Sequence, residues 1–245
     1  MKLFDIDSPI IQWLTKIANL MLLNLLTLIL MIPVITGGAA LTAMQYVILK
    51  MVRDEDQYIF RSYFKSFKQN FKQATGIWLI FLFVFLILGG DFFILSHVEN
   101  IPHSNVLTIL IGMVAIIMAC GFVFVFPVLA KFDNSVKKTI KNAFAISHLQ
   151  LPKTALMIAM YLLPIIILYL NVEVFWRLIP IFLFFGMAAP AYVGALLYNN
   201  FFVNLEDKIT GNGSDENSEG AEGSETVDER IFHDELMELP EEEDK

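Results

Sequence analysis

The chain has 245 residues, 56% of them hydrophobic, with 22 Phe and a mean hydropathy of +0.62. Soluble domains average about 45–50% apolar on a count that includes glycine, so an ordinary soluble domain is excluded. The net charge of −8 is unevenly spread: residues 203–245 hold 16 acidic and three basic residues, whereas residues 1–202 hold nine acidic and 14 basic ones.

Asp5 and Asp7 stand where a signal peptide carries positive charge, and no small-residue cleavage site follows the first apolar run. The first span, 10–32, is therefore read as retained. It stops at Pro33, and Thr36 is placed to cap a second helix over 37–52. That helix is about 24 Å long at 1.5 Å per residue, short of the roughly 30 Å of hydrocarbon. Pro33, Thr36, Gly37 and Gly38 form a helix break. Small residues there permit close helix packing, or a break at membrane depth builds a solute site. Asn24, roughly two turns earlier, either bonds across helices or lines that site.

Residues 58–72 read as an amphipathic helix. Phe60, Phe64, Phe67 and Phe71 follow 4-3-4 spacing with Tyr63 alongside, and Arg61, Lys65, Lys68 and Lys72 repeat that spacing one residue later. The aromatic and basic stripes are then about 100° apart. Such a helix lies at the interface, rings in acyl chains and cations on anionic headgroups, or it offers a docking surface to a partner. Spans 75–95 and 106–129 follow, the second holding Cys120, an apolar packing residue. A single cysteine excludes an internal disulfide. Residues 133–148 repeat the amphipathic pattern more weakly, with Val136, Ile140 and Phe144 beside Lys137, Lys138 and Lys141. Span 154–170 is interrupted by Pro164, and span 175–202 is long enough to tilt or bend at Pro180 or Pro190. Glu173 and Arg177 have the i,i+4 order of an interfacial ion pair. The acidic tail, 205–245, has the composition of a disordered segment, with Phe232, Leu236 and Leu239 as a short apolar pattern near its end.

Sixteen of the 17 Lys and Arg residues fall in 1–16, 50–72, 131–153 and 203–245. Loops near membrane spans keep such residues on the cytoplasmic side. The expectation is an all-α, polytopic transmembrane bundle of about six helices in the cell membrane. Two cytoplasmic amphipathic helices and both termini lie inside, with 1–204 as the membrane domain. A five-span alternative makes 37–52 an interfacial helix and strands Lys2 and Lys16 outside.

His97, His103, His148 and His233 are dispersed, without the spacing or companion cysteines of a metal site. No phosphate loop, zinc-protease helix or nucleophile elbow occurs, and the basic helices lack a nucleic-acid module. No catalytic residue, metal or cofactor is assigned, and an enzyme is not expected.

Asn24, Pro33-Val34-Ile35-Thr36-Gly37-Gly38, Ala43, Tyr58 and Phe67-Lys68-Gln69-Asn70-Phe71-Lys72-Gln73-Ala74 together resemble the YesL-like family of bacterial integral membrane proteins. Phe126-Pro127 and Lys141-Asn142-Ala143-Phe144 also fit, and the likeness extends over roughly residues 1–202. The family is a domain of unknown function, so the resemblance implies no site residues. Its members are often encoded beside carbohydrate-uptake transporters and sensor kinases. The resemblance therefore implies an accessory role in sugar uptake or sensing, with a transporter or sensor kinase as partner. The alternative, carried by the helix break, Asn24 and Pro164, is that the chain itself moves a small solute.

Overall fold

In the computed structural model, which describes residues 9–55, 58–97 and 104–213, the regular elements are all helical. Besides a single 3-10 turn at Val34–Thr36, they are α1 (Pro9–Met31), α2 (Gly37–Val52), α3 (Ile59–His97), α4 (Ser104–Lys131), α5 (Val136–Leu149), α6 (Leu151–Leu170), α7 (Val172–Phe185) and α8 (Ala188–Gly213). Five of them are long and apolar enough to cross a membrane, and the bent α7–α8 pair makes a sixth if it is one span. Phe83, Leu86, Ile109, Ile116 and Ile165 are each more than half exposed. A surface of this kind is stable against lipid and unusual against water, and the molecule is a multispanning membrane protein.

The bundle is built around α2. Fourteen of its 16 residues are buried, because α1, α3, α4 and α8 all pack on it. An interfacial helix leaves one face open to water or headgroups, and burial on every side fits a helix inside the bundle better. Gly37, Gly38, Ala39, Ala40 and Ala43 give α2 the slim surface that this packing needs. A Cβ added at Gly38 would stand 2.5 Å from Trp78 Cβ and closer still to the Ala74 carbonyl oxygen. The helix ends where Asp54 adopts a left-handed φ of 54°, an arrangement that closes helix ends. There the Glu55 N–H donates to the Lys50 carbonyl at 3.0 Å, and Asp54 pairs with Lys16 at 2.8 Å.

The expected interfacial helix 58–72 and span 75–95 are a single helix, α3, of 39 residues. The segment joining them, Gln73-Ala74-Thr75-Gly76, contains no proline. Its one glycine costs only about 1 kcal/mol relative to alanine, too little to break a helix held along α2. At 1.5 Å per residue α3 is about 58 Å long, nearly twice the hydrocarbon thickness. One part of it must stand outside the hydrocarbon. The other packs antiparallel on α4 through rings 5.6–6.2 Å apart, among them Trp78 and Phe85 of α3 against Phe122 and Phe126 of α4.

α5 does not lie flat beside the bundle. It buries Thr139, Asn142, Ala143, Ile146 and Ser147, and its Phe144 ring covers Gly121 on α4 so closely that a Cβ there would stand 2.5 Å away. The Val136, Ile140 and Phe144 stripe thus packs on the protein core. α6 continues through Pro164 and begins earlier than expected, with Pro152 in its first turn, where no intrahelical N–H is needed. The last span is broken: α7 and α8 meet at 57°, neither at Pro180 nor at Pro190 but at Gly186-Met187. Pro190 is the cause, since it has no N–H and its ring would clash with the carbonyl four residues earlier, that of Gly186. α8 continues to Gly213, past the expected domain limit at 204. The rest of the tail, with Phe232, Leu236 and Leu239, lies outside the described residues, as do Lys2, His103 and His233.

Gly38→Leu should destabilise the protein by about 1–3 kcal/mol through overpacking, whereas Gly76→Ala, which meets nothing within 4 Å, should be neutral or stabilising. Unfolding by denaturant titration in detergent micelles separates the two.

Candidate functional site

Both helix breaks are occupied by side chains of the chain itself. At the first, the Thr36 hydroxyl donates to the carbonyls of Pro33 (2.7 Å) and Leu30. It does not cap α2 as expected, because it serves the unpaired carbonyls at the end of α1. The Trp78 indole N–H donates to the Val34 carbonyl at 2.7 Å, and the same ring covers Gly37. Pro33, Thr36, Gly37 and Gly38 therefore form a joint clamped onto α3.

Asn24 is fully buried and belongs to the second break. Its amide nitrogen donates to the Leu183 carbonyl at 2.7 Å. Its oxygen accepts from the N–H groups of Met187 and Ala188, both at 2.8 Å. In an unbroken helix the Met187 N–H would bond to the Leu183 carbonyl, and one carboxamide bridges that gap.

Further polar groups are paired inside the bundle. The Tyr63 hydroxyl donates to the Ala40 carbonyl at 3.2 Å and reaches Thr27 at 3.4 Å. The Tyr198 hydroxyl donates to Gln45 Oε1 at 3.1 Å, and Gln45 lies beside Tyr161. Gln73 donates to the Asn134 backbone carbonyl and, at 3.4 Å, to the Thr139 hydroxyl, which fixes α3 to the start of α5. Gln73, quoted above for the family resemblance, thus belongs to an interior joint, while Asn70 is buried and bonds Ser66 one turn back on α3.

The two stripes of the 58–72 segment separate. Arg61, Lys65, Lys68 and Lys72 form an exposed row along α3. Phe60 and Phe64 are exposed, while Phe67 and Phe71 pack towards the core, Phe67 stacking on Tyr63 at 6.4 Å. On α5, Lys137 and Lys141 are exposed and Lys138 is half-buried. Glu173 and Arg177 are both exposed and form no ion pair; the Lys16–Asp54 bridge is the one found among the described residues. Glu173 instead occupies the first turn of α7, where its backbone N–H donates to the capping Asn171 side chain at 3.0 Å. An acid there complements the helix dipole.

A cavity of about 410 Å³ lies between α2, α3, α4 and α6, lined by Gln45, Trp78, Phe85, Phe122, Tyr161 and Ile165 among others. Periodicity alone does not reveal it, because its walls come from elements spread along the chain, Met31 of α1 and Met187 of the α7–α8 joint included. Gln45, midway along the largely apolar α2, is the sequence signal that points there. Among the described residues no three His, Cys, Asp or Glu side chains are grouped to hold a metal ion.

A family model described as a protein of unknown function, DUF624, matches residues 20–92. The matched segment runs from α1 through most of α3 and includes Asn24, the first break, Gln45 and Trp78. No curated protein and no solved structure matches the chain.

Asn24→Leu removes three hydrogen bonds and leaves buried backbone groups unpaired. It should lower stability by about 2–4 kcal/mol, with Asn24→Asp, which keeps the acceptor, losing less. Thermal unfolding in detergent, with proteolysis near Gly186 as a local probe, measures both.

Proposed function

We propose that this protein is a non-enzymatic accessory subunit of the cell membrane that assists or regulates a carbohydrate transporter or sensor kinase. The observation that carries the reading is the exposed row of Arg61, Lys65, Lys68 and Lys72 on a helix too long for the hydrocarbon. A continuous helix that leaves the bilayer with four cations on one side is suited to an acidic partner surface or to anionic headgroups. The distribution of Lys and Arg supports placing this row and both termini in the cytoplasm. The carbohydrate assignment rests on the resemblance to YesL-like proteins and on the setting in which they are encoded.

Solute conduction has less support. Broken helices make ion or substrate sites by presenting unpaired backbone groups. Here the carbonyls of Leu30, Pro33, Val34 and Leu183 are already bonded by Thr36, Trp78 and Asn24. A sugar also needs many polar partners, and the cavity walls are almost wholly apolar.

Reversing the row with Arg61→Glu, Lys65→Glu, Lys68→Glu and Lys72→Glu should weaken partner capture by about an order of magnitude and reduce sugar uptake in cells, with the protein still inserted. Photocrosslinking from position 68 in native membranes, combined with uptake assays in a deletion strain, tests this. Crosslinks to lipid alone together with normal uptake in the deletion strain defeat the proposal.

A further inference from the structure

The accessory role makes no use of the cavity between α2, α3, α4 and α6. Its volume of about 410 Å³ lies within the roughly 300–1,000 Å³ of small-molecule sites. Twelve of its 15 lining residues have purely apolar side chains, the others being Gln45, Trp78 and Tyr161. Trp78 spends its indole N–H on Val34. An apolar space of this size stays dry and takes apolar guests.

Two features define the guest. The first is the entrance: α3 and α6 are not closely packed on each other, and the lining residues Leu162 and Ile165 on α6 are 44% and 62% exposed. In a multispanning protein that apolar lip faces acyl chains. The second is the polar spot on the wall. Gln45 is 4% exposed, and its oxygen is engaged by Tyr198. Its carboxamide N–H groups are then the ones left on the cavity wall, where Tyr161 also stands with a hydroxyl proton to donate. Tyr161 supplies the only hydroxyl among the lining residues. A hydrocarbon guest with one acceptor oxygen complements both.

We propose that the cavity binds a linear hydrocarbon chain bearing a carbonyl group, the acyl chain of a fatty acid or of an ester lipid. The chain enters past Leu162 and Ile165 and its carbonyl oxygen accepts from Tyr161. The aromatic wall of Trp78, Phe85, Phe122 and Phe126 packs along its length.

The test uses the full chain in lipid nanodiscs with two photoactivatable probes, a diazirine fatty acid and a phosphatidylglycerol carrying the same acyl chain. After irradiation, adducts should concentrate on peptides containing Ala119 to Phe126 and Ile158 to Ile165. Whichever probe labels there identifies the source of the chain. Ala119→Trp, which fills the space, should abolish this excess while labelling of the exposed α3 residues Phe83 and Leu86 stays unchanged, an internal check on insertion. Leu162→Trp blocks the lip and serves if Ala119→Trp fails to fold. Tyr161→Phe should reduce retention of the labelling probe about fivefold, the worth of one hydrogen bond; unchanged retention overturns the role of Tyr161. Labelling of the cavity peptides no stronger than that of the exposed Phe83 and Leu86, or an excess that survives in both tryptophan variants, overturns the site itself.

Discussion

The close approach of α2 to α3 is the contact on which the other elements depend. In lipid, helices gain little from burying apolar surface against one another, so association rests on van der Waals fit and hydrogen bonds. Gly37 and Gly38 under the Trp78 ring and against the Ala74 backbone supply that fit. Because α2 is slim, four neighbours can surround it, and its Thr42, Gln45 and Lys50 side chains become interior groups. The Trp78 ring that covers the glycines also donates to Val34 and forms part of the cavity wall. One side chain thus joins the hairpin, the α3–α4 aromatic contact and the lateral opening.

The interior follows a second constraint, that backbone groups away from water must find partners within the protein. Thr36, Trp78 and Asn24 each serve backbone groups released where a helix stops. The result is a bundle whose discontinuities are structural joints. Its chemical capacity lies at its margins: a cationic row on the extended part of α3, and a hydrocarbon-lined recess facing the lipid.

The legible parts of the fold are those set by local composition. Pro33 and the glycines after it delimit α2 at Gly37, and the apolar runs locate the spans. The continuity of α3 is hidden because composition changes at Gln73 from charged to apolar while the backbone has no reason to stop. The α7–α8 bend is only half visible: Pro190 disfavours helix at Gly186, but the partner that stabilises the break is Asn24, 163 residues from Met187. Glu173 and Arg177 show the converse, since i,i+4 spacing permits an ion pair and exposure removes the incentive to form one. The amphipathic pattern of α5 is real, yet its apolar side faces Gly121 instead of lipid, a choice made by a glycine on another helix.

The Asn24 clamp also constrains the order in which the molecule can be completed. Asn24 lies in α1, and its three partners lie at the end of α7, in the joint that follows it and at the start of α8. Chains fold from the N-terminus as they are made, so until α7 and α8 have been made this carboxamide sits in a membrane segment without its final partners. The α1–α2–α3 unit can close early through its glycines, but its outer face stays chemically unfinished until α7 and α8 arrive. A chain truncated before Leu183 would present an unsatisfied amide to the bilayer, a mark by which an incomplete molecule differs from a finished one.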